Sequence, residues 1–112
     1  MIDFEQEKRW REFVGRISTE HGADLDLQAI LFLIGVQELN KGFEHKFTKD
    51  QKIDLLHVAI CTVLEPYGYY RFEGRDSDGW PHFENIKKLP PLDEGQQQFL
   101  IKKAVLEYFT EQ

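Results

Sequence analysis

The chain has 112 residues, a formal net charge of -6, and apolar and charged fractions of 41% and 30%. That composition argues against a disordered chain, and about two-thirds of the unfolded surface of such a chain can be buried in one core without covalent staples. The acidic balance argues against generic binding to nucleic acid or to an anionic membrane, both of which ask for a basic face, and a single cysteine leaves no internal disulfide framework.

Residues 3–21 read as a first helix. Trp10, Phe13, Val14 and Ile17 fall at i, i+3, i+4 and i+7, one apolar stripe on a charged cylinder. Lys8, Arg9 and Arg11 sit among Glu5, Glu7 and Glu12, the spacing of a solvated, ion-paired face. Gly22 closes the helix. Glu20, His21, Asp24 and Asp26 form a polar cluster at the junction that follows, and helix capping accounts for them.

The second helix organises the chain. Eight consecutive residues, Ala29 to Val36, carry no polar side chain. Periodicity cannot separate a buried strand from a buried helix in so short a run, so the flanks decide. Asp24 and Asp26 stand where an N-cap and a first-turn acid belong, and Lys41-Gly42 supplies a terminal cation and a C′ glycine. The expected helix, Leu25 to Lys41, is apolar on nearly every side and must be covered by the others. Gly35 inside it costs roughly 1 kcal/mol against alanine, for which close approach of a neighbouring helix, or a kink, is the reason to look for. A membrane span needs about 20 apolar residues, more than this run offers. A secretory signal needs a basic start, whereas Asp3, Glu5, Glu7 and Glu12 precede it here. The expected location is the reducing cytoplasm.

Residues 43–47 connect to a third helix, with Phe43 and Phe47 as anchors. Thr48-Lys49-Asp50-Gln51 matches the capping box. Pro66 and Gly68 stop the helix near Glu65. Ile53, Leu56, Ile60, Val63 and Leu64 define one face, widened by Leu55, Val58 and Ala59. A fourth helix begins near Asp93-Glu94-Gly95-Gln96, with Leu100, Ile101, Ala104, Val105, Tyr108 and Phe109 inward and Lys102, Lys103 and Glu107 in water.

Residues 67–92 break the helical pattern. Tyr69, Arg71 and Glu73 alternate with Tyr70 and Phe72, and Trp80, His82 and Glu84 alternate with Pro81 and Phe83, around a turn at Asp76-Ser77-Asp78-Gly79. A short β-hairpin or an ordered loop fits, and its aromatics must lie against the helices because two strands alone are marginal. The expected fold is mainly α, one domain over residues 1–112, with four helices around the buried second one.

The same segment, Tyr67 to Phe83, concentrates the residues able to carry function, because loops hold polar groups that a core does not need. A lid over one end of the bundle accounts for that composition too. As a binding surface it offers Tyr67, Tyr69, Tyr70, Arg71, Glu73, Arg75, Asp76, Asp78, Trp80 and His82, rich in the residue types of interface hot spots. Metal chemistry is weakly signalled. Asp76, Asp78 and His82 offer ligands, but Gly74 stands where a calcium loop would open with Asp, and no Glu-x-x-His, as in di-iron bundles, occurs. His57 and Cys61, one turn apart, have the spacing of a base and thiol, but their apolar neighbours favour a buried structural cysteine. No dinucleotide or phosphate loop, serine elbow or Cys-x-x-Cys occurs, so no cofactor and no catalytic residue is assigned.

At IGVQEL and at TKDQKIDLLHVAICTVLEPYGYYRFEGRDSDGWPHFE the chain resembles a group of short bacterial proteins, associated with the Bacteroidetes, that have no assigned activity. The likeness covers residues 25–110, and YGYY, EGRD and DGWPHF are its most specific part. It implies a bacterial, cytoplasmic origin and no mechanism. The function expected is a non-enzymatic interaction module whose partner is another protein or a second copy of itself, as in a homodimer. The competing expectation is a ligand- or metal-binding protein with a pocket where the segment meets the third helix, at Tyr67, Tyr70, Arg71, Glu73, Arg75, Asp76 and His82.

Overall fold

A computed structural model describes residues 4–39 and 46–110. Among them the chain forms α1 (Phe4–His21), α2 (Leu27–Leu39), α3 (Lys49–Leu64), a 3₁₀ turn (Glu65–Tyr67), β1 (Tyr70–Arg75), β2 (Pro81–Asn85) and α4 (Glu94–Thr110). The mainly helical fold with one excursion is as the sequence predicts, and the excursion is a hairpin.

Local hydrogen bonding sets most of the boundaries. After α1, Gly22 adopts φ 67°, its N–H reaches the Thr19 carbonyl, and Ala23 N–H reaches Ser18, the paired bonds of a Schellman stop. α2 begins two residues later than the flanking acids suggest. Asp26, not Asp24, is its cap, accepting the Ala29 N–H at 2.8 Å. The helix end placed at Lys41-Gly42, and the anchor Phe43, lie outside the described residues. Thr48 and Gln51 form the full reciprocal box ahead of α3, and Asp93 with Gln96 repeats it ahead of α4.

Packing follows from these placements. Trp10, Phe13 and Ile17 of α1 meet Ile30, Leu31 and Ile34 of α2, Ala59, Val63 and Leu64 of α3, and Ala104 to Leu106 of α4 in the main core. Full burial of side chains such as Ile30, Ile34, Leu55 and Leu64 is worth roughly 1.5–3 kcal/mol each. A smaller core joins Val36, Leu39 and Leu55 to Phe32, Phe47 and Trp80, beneath the tip of the hairpin. Gly35 lies where α2 and α3 cross: an added Cβ would stand 2.3 Å from the Leu55 carbonyl oxygen. Close helix approach is therefore its use.

Three side chains depart from the expected faces. Ile53 is 56% exposed, because the buried side of α3 runs through Leu55, Val58 and Ala59 instead. Glu107 does not stand free in water; it accepts the Tyr67 hydroxyl at 2.7 Å. Lys102 folds over the Trp10 ring, its ammonium 5.6 Å from the centroid. Both come from sequence-distant neighbours that a helical stripe does not encode. Among the described residues, no helix is long and apolar enough to cross a membrane.

Candidate functional site

The hairpin pairs Tyr70 with Asn85, Arg71 with Glu84 and Phe72 with Phe83, then slips so that Gly74 faces His82 and Arg75 faces Pro81. The slip is a bulge at Glu73, and Gly74 takes φ 118°, a conformation that side chains resist. The strict alternation expected through Glu73 is thereby broken, since one extra residue occupies β1.

A single carboxylate builds the turn. Asp76 Oδ1 accepts the N–H groups of Asp78 (2.9 Å) and Trp80 (3.0 Å), while His82 Nε2 donates to Oδ2 at 2.9 Å. The hydrogen bond from His82, followed by those from the backbone, holds the Asp76 carboxyl below the usual aspartate range. Asp78 contributes a backbone donor to this clasp. Both Asp76 oxygens are thus engaged, and among the described residues no three His, Cys, Asp or Glu side chains gather as a metal site.

The remaining anchors come from the helices. Arg75 donates to the Glu38 carbonyl in the last turn of α2 (2.6 Å) and to Gly79 (3.0 Å). The Glu65 carboxylate accepts the Phe72 N–H at 2.8 Å. Trp80 is half-buried in the smaller core. Tyr70 sets its ring edge-on to His57, and Tyr69 lies under the Lys87 ammonium at 5.4 Å. Tyr67, Tyr69 and Tyr70 thus spend their rings on attachment. Arg71 pairs with Glu84 across the strands, and Glu73 stands exposed in the bulge.

Between α3 and the hairpin lies a cleft of about 470 Å³. Gln51, Asp54, His57 and Val58 line it from α3, and Asp76, Trp80, Pro81, His82 and Phe83 from the hairpin. Of the seven residues expected to converge there, Asp76 and His82 do. Tyr67, Tyr70, Arg71, Glu73 and Arg75 do not line it, because the bulge and the helix anchors turn them elsewhere. Sequence reasoning missed Gln51, Asp54, Val58, Pro81 and Phe83 as lining residues, and placed His57 only beside Cys61. No local signal marks Gln51 and Asp54, because the same turns of α3 also carry Lys49, Asp50, Lys52 and His57.

The Cys61 thiol sits 3.5 Å from His57 Nε2 at the back of this region. Burial raises its pKa from 9.0 to about 11, which leaves it protonated at neutral pH and unsuited to nucleophilic attack. A wider recess of about 760 Å³ flanks α1 and the α1–α2 junction, lined by Trp10, Gly15, Ser18, Gly22 and Asp24 among others. Two of its hydroxyls are spent locally: Ser18 Oγ accepts the Leu25 N–H at 3.0 Å, and Thr19 Oγ1 donates to the Gly15 carbonyl at 2.9 Å. No protein-family model, no curated protein and no solved structure matches this chain.

Proposed function

We propose that the chain is a non-enzymatic interaction module that recognises another protein, or a second copy of itself, through the hairpin. The observation that carries this reading is an aromatic pair, Phe72 exposed and Phe83 half-buried, on a fixed support. Phe72 is 45% exposed and meets Phe83 across the strands at 5.6 Å between ring centroids, while Arg75, Trp80, Glu65 and Tyr70 fasten the hairpin to the helices. An aromatic surface that is ordered before contact loses little further entropy on binding.

Self-association needs no second component and is tested first. Sedimentation velocity from about 10 μM to 1 mM should show mass rising with concentration, more at high salt, since two chains of charge -6 repel and salt screens that repulsion. Phe72→Ser should abolish the rise without altering the unfolding midpoint. Trp80→Ala is a poor probe, because Trp80 belongs to the smaller core and its loss weakens the fold itself. A wild-type chain monomeric throughout would reject self-association.

A second reading, small-ligand binding, is supported by the cleft beside α3. Its 470 Å³ falls within the roughly 300–1,000 Å³ of ligand sites.

A further inference from the structure

The cleft and the aromatic pair are one continuous surface, since Phe83 belongs to both. Any partner seated on Phe72 and Phe83 therefore lies at the mouth of the cleft. Its floor is apolar: Val58 and Pro81 are buried, and Trp80 is half-buried. Its polar rim carries the Asp54 and Asp76 carboxylates with Gln51, His57 and His82, His82 being held on Asp76. Among the described residues no lysine or arginine lines it, and the Asp54 carboxylate has no hydrogen bond or ion pair.

That combination selects for a particular chemistry. A carboxylate or phosphate would face the unpaired Asp54 carboxylate, with His82 already committed to Asp76 and no lysine or arginine among the described lining residues to receive it. A neutral apolar group would leave the Asp54 carboxylate beside it without a partner. A guanidinium or ammonium satisfies both halves of the site: its charge meets Asp54 and the face of Trp80, and its aliphatic stem lies on Val58 and Pro81. The net charge of -6 draws such a group toward the chain.

Building on the interaction reading, we infer that the cleft between α3 and the hairpin receives an arginine or lysine side chain projecting from the protein partner. The partner is thus basic where it touches this chain, with an apolar residue beside the cation to cover Phe72. Asp54 and Trp80 are the recognition residues, and the Asp76–His82 clasp is the support that holds Trp80 and Pro81 in place.

The test is an NMR titration of the ¹⁵N-labelled chain with acetyl-Gly-Arg-Gly-amide, following the Trp80 indole N–H, with that of core residue Trp10 as internal reference. Expected is a saturable shift at Trp80 with millimolar affinity. It should weaken about tenfold or more with the citrulline peptide, which keeps the shape and loses the charge, and likewise in Asp54→Asn. Raising salt should weaken it further. No saturable shift at Trp80, an equal response to citrulline, or an unaltered Asp54→Asn overturns the inference. Putrescine is the small-molecule arm: binding tenfold tighter than that of the peptide makes the cleft an amine-ligand site and overturns the partner assignment. Failure here is separable from failure of the interaction reading. That reading answers to Phe72→Ser, which leaves Asp54 and Trp80 intact.

Discussion

Replacing Gly35 with alanine asks how tightly α2 and α3 are joined. The new Cβ would stand 2.3 Å from the Leu55 carbonyl oxygen and 2.9 Å from its carbon, where ordinary contact begins at 3.4 Å. The helices must part by the difference, 3.4 minus 2.3, or about 1 Å, because both opposing atoms are backbone and cannot rotate away. Overpacking of this kind costs typically 1–3 kcal/mol, and a rigid backbone contact belongs at the upper end. Alanine returns about 1 kcal/mol of helix propensity. The net expectation is a loss of about 2 kcal/mol, which in a domain of this size lowers the melting temperature by roughly 8 °C. Gly15→Ala supplies the control, since no atom lies within 4 Å of its added Cβ. It should gain about 0.5–1 kcal/mol by propensity alone. Urea unfolding of both variants, with m-values unchanged, measures the pair. Were Gly35→Ala to stabilise the chain as Gly15→Ala does, the close crossing of α2 and α3 would have to be abandoned.

Three further outcomes follow from the hairpin and its surroundings. The folded pKa of Asp76 lies below its ordinary value of 3.8, so its stabilisation is complete above that pH and fades as pH falls through the folded value. Asp76→Asn should therefore unfold at lower urea than wild type near pH 6, and the gap should close as pH falls below the ordinary value of 3.8 and through the lower folded one; a gap independent of pH contradicts the clasp. With its pKa near 11, Cys61 in the folded chain should react with iodoacetamide at pH 8 about a hundredfold more slowly than a thiol of pKa 9.0. A native rate equal to that in urea would show the thiol is not buried. Arg75→Ala removes the bond to Glu38 and should lower the local opening free energy of the turn by about 1 kcal/mol. Hydrogen exchange at the Asp76 and Gly79 amides is the readout, and unchanged protection there would mean that Trp80 alone holds the tip.

The parts of this fold that were legible in advance are those governed by residues three or four apart. The Thr48–Gln51 capping box, the helix start at Asp93, the Trp10–Phe13–Ile17 stripe and the stop at Gly22 are local agreements between side chain and backbone, and such agreements survive tertiary context. The misplaced residues are those whose environment arrives from far along the chain. Glu107 meets Tyr67 across 40 residues, and Arg75 meets Glu38 across 37. No helical stripe reports where a tyrosine on a distant 3₁₀ turn will land. The candidate site shares this limit. Its hairpin half was visible as an aromatic and acidic run, whereas Asp54 and Gln51 became relevant only once the hairpin was laid along α3. Gly74 was the overlooked local clue, since a glycine within a strand pattern often marks a bulge.

How the hairpin could be read by a partner is constrained by its edges as much as by its face. Two strands offer two open edges, and strand addition is a common mode of peptide capture. Here β1 has its Phe72 N–H taken by the Glu65 carboxylate, and β2 begins with Pro81, which has no N–H to offer. The bulge at Glu73 interrupts the ladder further. Edges blunted at these points disfavour an added strand, so recognition under the proposed function falls to side chains: Phe72 and Phe83 on the surface, Asp54 and Trp80 in the cleft. Opening the β1 edge with Glu65→Ala separates the two modes. It should leave Phe72-dependent association intact if side chains do the reading, and strengthen it if the backbone does.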